Sequence, residues 1–271
     1  KGKKPITART SYGLGEMINT ALDNGSKHLV ISLGGLDCFD GGIGMLQALG
    51  ATFYDDEAQP LDATKGAQII KYIRHMDLTA VNDKLAEVNI QVMSDFSSRL
   101  YGKNSEIMQS YQTLGISRET AVEVDNLIWY LGELIKNELK IAIGPIERGG
   151  AGGGIAGILK GLYDAEIVTS HELVDQITHL DQLIEQADLI IFGEGLKEED
   201  RLMETTTIRI AELAEKHQKP AIAICATSDK FDLFANYHVT AMFNTFIDMP
   251  ESVTDFKMGV QLRHYVVQAL K

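Results

Sequence analysis

Acidic residues and glycines gather in a few short segments, and their types and spacing could do chemistry. Each segment places a carboxylate after a predicted strand or a glycine run before a predicted helix. Glycine lets the backbone approach a ligand closely, and free amides at a helix start attract anions. A carboxylate can accept a proton or bind Mg²⁺. The segments are residues 33–42, 93–95, 148–157 and 192–195.

The first segment follows a predicted strand, residues 28–33, whose continuous apolar run is typical of a strand buried on both faces. It leads into a predicted helix over residues 42–49. From the residues alone, two roles are open for Asp40. It caps the helix, which is the common role of such a residue, or it works beside amides that hold an anion. The glycines of this segment are Gly34, Gly35, Gly41 and Gly42.

The segment from 149 to 154 contains five glycines among six residues and opens another predicted helix. Gly152, Gly154 and Gly157 fit the spacing G-x-G-x-x-G, but the strand and acidic residue of a dinucleotide-binding unit are missing. Two interpretations stay open for this run, including Gly153. The glycines contact phosphate or substrate, or they allow a helix to pack closely on a sheet.

Two further carboxylates, Asp95 and Glu194, each follow a predicted strand. Gly193 and Gly195 flank Glu194 and leave its side chain with little steric cover. Together with Asp40, these carboxylates could coordinate Mg²⁺ or act as a base. Acidic residues at strand ends are often turn residues, so the sequence does not assign metal ligands.

The segments lie between alternating strands and helices, which predict a parallel sheet built from βαβ units. Ligands of such sheets collect at the carboxyl ends of the strands. Residues 51–186 are less regular and are predicted to form a second domain, inserted between residues 1–50 and 187–271. The predicted strands are 28–33, 88–93, 188–192 and 221–225. The predicted helices are 13–23, 42–49, 117–137, 151–163, 172–186, 198–217 and 255–270, with a capping box at Thr169 and Glu172.

Composition excludes several classes of protein. The 271 residues are 45% hydrophobic and 23% charged, unlike a disordered chain or a coiled coil. A net charge of −13 argues against a nucleic-acid partner, and apolar runs are too short for a membrane span. Cys38 and Cys225 have no metal-ligand spacing and are typical of free thiols in a reducing compartment. We therefore expect a cytoplasmic protein, and the sequence leaves a homo-oligomer open.

Longer motifs resemble one family. Residues 40–50, DGGIGMLQALG, resemble the DGGxGMLQALG stretch of bacterial glycerate kinases. Residues 10–16 resemble the TxxGxGE of that family, and residues 150–157 are similar to its glycine-rich run. Residues 187–195 are similar to its ADLVITGEG, and residues 220–226 resemble its PVIAIAG strand. Order and spacing agree from Thr10 onward, so the resemblance covers nearly the whole chain.

The resemblance implies a two-domain α/β fold of the glycerate kinase type. A parallel Rossmann-like sheet domain, a second α/β domain and a cleft between them are expected. ATP, with Mg²⁺, would phosphorylate a hydroxyl of D-glycerate or a similar small hydroxy acid there. Asp40 and Asp95 are the expected catalytic residues. The expected substrate- or ATP-binding residues are Gly34, Gly35, Gly41, Gly42, Gly152, Gly153, Gly154, Glu194, Gly195 and Glu198.

The chain also departs from the family pattern. Leu36 to Phe39 replace a polar SATN, and Leu114 and Thr205 stand where the family has lysines. These changes remove cations and polar donors from a site that must hold anions. They leave an alternative open, a catalytically silenced paralogue that binds a metabolite, a nucleotide or a protein partner. The family also begins with a further strand and a DSFK-type motif, and this chain starts beyond them.

Overall fold

The computed structural model describes residues 4–95, 97–194, 206–225, 237 and 239–244. In this part of the chain, none of the helices has the length and apolar character needed to cross a membrane. The chain divides into two compact units, Lys1–Val168 and Thr169–Lys271. Each unit is an α/β assembly with a parallel sheet.

The elements of the first unit are α1 (Tyr12–Asp23), β1 (His28–Ser32), α2 (Ile43–Leu49), β2 (Thr52–Tyr54), β3 (Pro60–Leu61), β4 (His75–Asp77), α3 (Thr79–Leu85), β5 (Asn89–Met93), α4 (Glu106–Ser110), α5 (Arg118–Leu139), α6 (Ile155–Tyr163) and β6 (Glu166–Val168). Those of the second unit are α7 (Ser170–Thr178), α8 (Leu180–Gln186), β7 (Ile190–Glu194), α9 (Thr206–Lys216), β8 (Ala221–Cys225) and β9 (Ala241–Asn244). Short 3₁₀ segments cover Ile6–Ala8 and Ala63–Tyr72.

Strand pairing explains why the two units differ from the predicted domains 1–50 plus 187–271 and 51–186. β1 pairs in parallel with β5, and β5 pairs in parallel with β6, so these strands form one sheet of the first unit. β7, β8 and β9 form a separate parallel sheet in the second unit. The first predicted strand therefore shares a sheet with strands from the segment that was predicted as an insertion.

β1 is exposed on one face, contrary to the prediction of a strand buried on both. Leu29 and Ile31 are buried, whereas the alternate residue Val30 is 54% exposed. The side chains of a strand alternate between the two faces of its sheet. The apolar core therefore covers one face of β1, and the continuous apolar run is not a reliable sign of two covered faces.

The predicted helices within the described residues lie where the periodic pattern places them. Local backbone geometry explains where their bounds differ from the predicted bounds. α6 begins at Ile155 and not at residue 151, because Gly152, Gly153 and Gly154 have positive φ. The predicted helix 172–186 is two helices, α7 and α8, because His179 adopts a left-handed conformation with φ 53°. The capping box of Thr169 and Glu172 is confirmed at the start of α7.

In the second unit, Asp181 of α8 links this helix to α9. Its carboxylate accepts hydrogen bonds from Lys216 at 2.6 Å and His217 at 2.5 Å. The predicted helix 198–217 is described from Thr206 onward, as α9. The predicted helix 255–270 lies outside the described residues.

Glycine sets the packing of α1 on α2. Gly15 is buried, and a Cβ there would lie 2.4 Å from the backbone oxygen of Met45 and 2.6 Å from the Cβ of Ala48. The two helices therefore touch through backbone atoms at this point. Gly13, in the same helix, is exposed and has no atom within 4 Å of such a Cβ.

These two glycines form a matched pair for a stability test. We expect Gly15→Ala to destabilise the protein by about 1–3 kcal/mol, since overpacking outweighs the better helix propensity of alanine. Gly13→Ala meets no such contact and should be neutral or stabilising by up to about 1 kcal/mol. Chemical denaturation of both variants measures the difference. Equal effects would show that α1 does not touch α2 at Gly15.

Candidate active site

Three of the predicted residues, Gly34, Gly35 and Asp95, lie at the carboxyl edge of the parallel sheet in the first unit. The N–H of Leu33 donates to the carbonyl of Met93 at 3.3 Å, which continues the pairing of β1 with β5 past the strand ends. Residues 34–35 and Asp95 follow these paired ends, and all three residues are exposed. Asp95 and the first glycine pair therefore share one edge of the sheet, although the sequence analysis places them in different domains.

Asp40 is completely buried. Its Oδ2 accepts hydrogen bonds from the Ser11 N–H at 2.8 Å, the Ser11 hydroxyl at 3.0 Å and the Gly44 N–H at 3.3 Å. Its Oδ1 accepts from the Gly42 N–H at 3.0 Å. Both carboxylate oxygens are thus bound by groups of the protein itself.

The same network supplies hydrogen-bond acceptors to the first backbone amides of α2. The Ile43 N–H donates to the Asp40 carbonyl at 3.2 Å, and the Met45 N–H donates to the Ser11 hydroxyl oxygen at 2.9 Å. The first amides of a helix otherwise have no partner within the helix. Asp40 and Ser11 take these amides, so the geometry supports the capping alternative and not an anion site at this helix start. A catalytic role for Asp40 stays a prediction.

Burial dominates the ionisation of Asp40. It raises the pKa of the carboxyl above its usual range, and the hydrogen bonds from Ser11, Gly42 and Gly44 act in the opposite direction. A buried carboxylate is tolerable only where donors replace its hydration. The hydrogen bonds from the surrounding amides therefore stabilise the buried carboxylate in the folded protein.

The glycine run packs directly on the segment before α2. The Gly41 N–H donates to the Gly153 carbonyl at 3.0 Å. A Cβ at Gly153 would lie 2.2 Å from the carbonyl oxygen of Cys38, and one at Gly152 would lie 3.0 Å from the Leu33 side chain. The structure thus joins two predicted glycine segments and supports close packing as a role of the run. Contact between these glycines and a ligand stays a prediction.

Glu106, at the start of α4, is a residue that the sequence analysis missed. Its Oε2 accepts a hydrogen bond from the Gly153 N–H at 3.0 Å. The two residues are 47 positions apart, and no local pattern connects them. The capping partner Ser11 lies inside the TxxGxGE-like motif, which pointed to the segment but not to its contact with Asp40.

The remaining predicted residues belong to the second unit. Glu194 is the last residue of β7 and is in register with Cys225 of β8, at the carboxyl end of that sheet. Gly195 and Glu198 lie outside the described residues. Within residues 4–95, 97–194, 206–225, 237 and 239–244, no group of three or more His, Cys, Asp or Glu side chains could hold a metal ion.

A separate groove of about 880 Å³ lies in the first unit and holds none of the predicted site residues. Tyr54 and His75, whose rings stack with centroids 6.1 Å apart, line it together with the ends of α5 and α6. The sheet edge, and not this groove, is therefore the candidate active site.

The Asp40 network predicts a loss of stability on removal of its charge. Asp40→Asn places an amide against the Gly42 or Gly44 donor, and an unsatisfied buried donor costs about 1–3 kcal/mol. The control is Asp37→Asn, at an exposed acid that pairs with Arg9 at 3.2 Å, where the change should be under about 1 kcal/mol. Chemical denaturation compares the two variants. Full stability of Asp40→Asn would contradict the capping role.

Relatives with known names match most of this chain. A glycerate kinase of Halalkalibacterium halodurans is 30% identical over 227 residues, which cover 84% of this chain and 59% of that protein. A glycerate 2-kinase of Escherichia coli is 29% identical over 243 residues, covering 89% of this chain and 63% of that protein. The chain thus spans about 60% of the length of these curated relatives.

The fold and the sequence family agree. The crystal structure of a protein assigned as glycerate kinase 2 of Salmonella typhimurium superposes with a TM-score of 0.81 at 26% identity, covering 99% of this chain and 70% of that one. The predicted glycerate-kinase-like α/β fold is thereby confirmed. A sequence model described as the glycerate kinase family matches residues 1–262. The chain belongs to the glycerate kinase family.

Proposed function

We propose that the protein transfers a phosphoryl group from ATP to a hydroxyl of D-glycerate or a similar small hydroxy acid. The family match over residues 1–262 carries this proposal. The exposure of Asp95 and of the glycine pair at the same sheet edge supports this edge as the proposed site of the reaction. None of the contacts among the described residues favours a silenced paralogue over this activity.

The reaction needs a group that accepts the proton of the attacking hydroxyl. The hydroxyl oxygen forms a bond to the γ-phosphorus, the bond to the β–γ bridging oxygen breaks, and ADP leaves. A general base must come within hydrogen-bond reach of that proton. Asp95 is exposed and Asp40 is buried. We therefore assign to Asp95 the role of the general base that accepts the hydroxyl proton.

Asp40 acts as a positioning residue in this proposal. Its hydrogen bonds to Ser11, Gly42 and Gly44 hold the loop that leaves β1 and enters α2. That loop carries the exposed residues 34–35 on the candidate edge. Asp40 thereby fixes the approach to the site without touching the substrate.

The exposed glycine pair is the better candidate for ligand contact within the first unit. A Cβ at Gly35 would have no atom within 4 Å, and one at Gly34 would have only the Ser32 hydroxyl at 3.9 Å. Gly35 has a φ of 78°, a conformation that favours glycine. A ligand can therefore approach this backbone closely, as an anion cradle requires.

The described residues do not fit a resident Mg²⁺ site. Both oxygens of Asp40 already accept hydrogen bonds from protein donors. Elsewhere in the described ranges, three metal-binding side chains do not gather at one place. The expectation of Mg²⁺ therefore rests on the family resemblance, and we derive no step of the reaction through the metal.

The other expectations from the resemblance belong to the same proposal. They are contacts from Glu194, Gly195 and Glu198, and a cytoplasmic location. The proposed ligands are a nucleotide and a hydroxy acid. Glu194 fits the general rule that ligands lie beyond the carboxyl ends of parallel strands.

Asp95→Asn tests the proposed base. Loss of a general base typically slows a reaction by about 10²–10⁴-fold, and we expect a loss of that size in phosphate transfer to D-glycerate. Asp23→Asn, at an exposed acid near the end of α1, is the matched control and should retain activity. The measurement is ADP release coupled to detection of the phosphorylated acid. Wild-type rates in Asp95→Asn would remove Asp95 from the mechanism.

A further inference from the structure

A carboxylate already lies on the glycine run that the family resemblance expects to bind substrate or ATP. Oε2 of Glu106 accepts a hydrogen bond from the Gly153 N–H at 3.0 Å, and the Glu106 side chain is half-buried. A backbone amide that meets a negatively charged oxygen is the basic element of an oxyanion site. In this protein, the negatively charged oxygen at the Gly153 amide belongs to the Glu106 side chain.

Packing holds the Gly153 peptide in place. Its carbonyl accepts from the Gly41 N–H at 3.0 Å, its φ is +64°, and Cys38 leaves no room for a Cβ. The Gly153 N–H consequently keeps its direction whatever group approaches it. An arriving anion would meet this donor in the place that the Glu106 carboxylate now occupies.

The surroundings of this peptide are negative. Burial is the largest cause that raises the pKa of the Cys38 thiol to about 12, and the nearby charges of Asp40, Glu106 and Asp37 contribute to the same rise. Arg9 pairs with Asp37 at 3.2 Å and offsets part of that charge. Like charges within several ångströms oppose each other strongly where water is partly excluded. Each carboxylate that remains beside an anionic ligand therefore lowers the affinity of the site for that ligand.

We propose that Glu106 is a specificity-determining residue whose carboxylate occupies the Gly153 amide and must be displaced by an anionic group of the ligand. This inference rests on the proposed function and extends its ligand contacts from the exposed glycine pair to the glycine run. The competing oxyanion is a phosphate of the nucleotide or the carboxylate of the hydroxy acid. Glu106 lowers the affinity for that anion and thereby sets how much negative charge the site accepts.

Glu106→Gln isolates the charge from the hydrogen bond. The glutamine oxygen can still accept from the Gly153 N–H, so the fold should keep its stability while the competing charge is lost. Inorganic phosphate, D-glycerate and ATP with Mg²⁺ are titrated separately by calorimetry, which identifies the competing oxyanion. We expect the Kd of at least one of them to fall about tenfold, the effect of one charged hydrogen bond. Glu57→Gln, at an exposed loop residue, should leave every Kd unchanged.

Glu106→Ala separates competition from a purely structural role. If Glu106 only braces the glycine run, alanine lowers the melting temperature, and neither variant binds anions more tightly. That result would overturn the inference, and so would weaker binding by Glu106→Gln or no binding by any variant. Tighter anion binding without phosphate transfer would support Glu106 as the competitor and contradict the proposed kinase activity.

Discussion

The contact between the backbone of residues 38–42 and that of residues 150–154 is the constraint on which the rest of the first unit depends. The Gly41 N–H donates to the Gly153 carbonyl at 3.0 Å, and Cys38 excludes a Cβ at Gly153. One contact thereby positions the starts of two helices, α2 and α6, against each other. Positive φ at these glycines makes the approach possible at no steric cost.

The same contact brings an electrostatic problem, which the protein solves internally. Asp40 is buried beside this contact, and burial of a carboxylate is costly unless hydrogen bonds replace its water. Ser11, Gly42 and Gly44 supply those hydrogen bonds. The amides at the start of α2 are therefore already bound within the protein, whereas residues 34–35 and Asp95 at the sheet edge are exposed.

Local signals predicted the elements well, and long-range contacts limited the prediction of the site. The capping box at Thr169 depends on residues three positions apart and was predicted correctly. The burial of Asp40 depends on Ser11, 29 positions away, and Glu106 meets Gly153 across 47 positions. Periodicity also carries no signal for which strands pair, so the pairing of β1 with β5 was not foreseen. The left-handed His179 likewise broke a helix whose pattern runs through it.

The residues that match the family motifs and those that depart from them obey different constraints. Gly41, Gly153 and Asp40 hold backbone contacts and a buried charge, so a change there costs stability whatever ligand is bound. Leu114, which stands where the resemblance has a lysine, packs half-buried against the core and gains apolar contact. Glu106 likewise places a carboxylate on the glycine run, where its Oε2 accepts from the Gly153 N–H. A motif match of this kind therefore indicates a shared backbone scaffold. The charge of the ligand must be deduced from the side chains that reach the site.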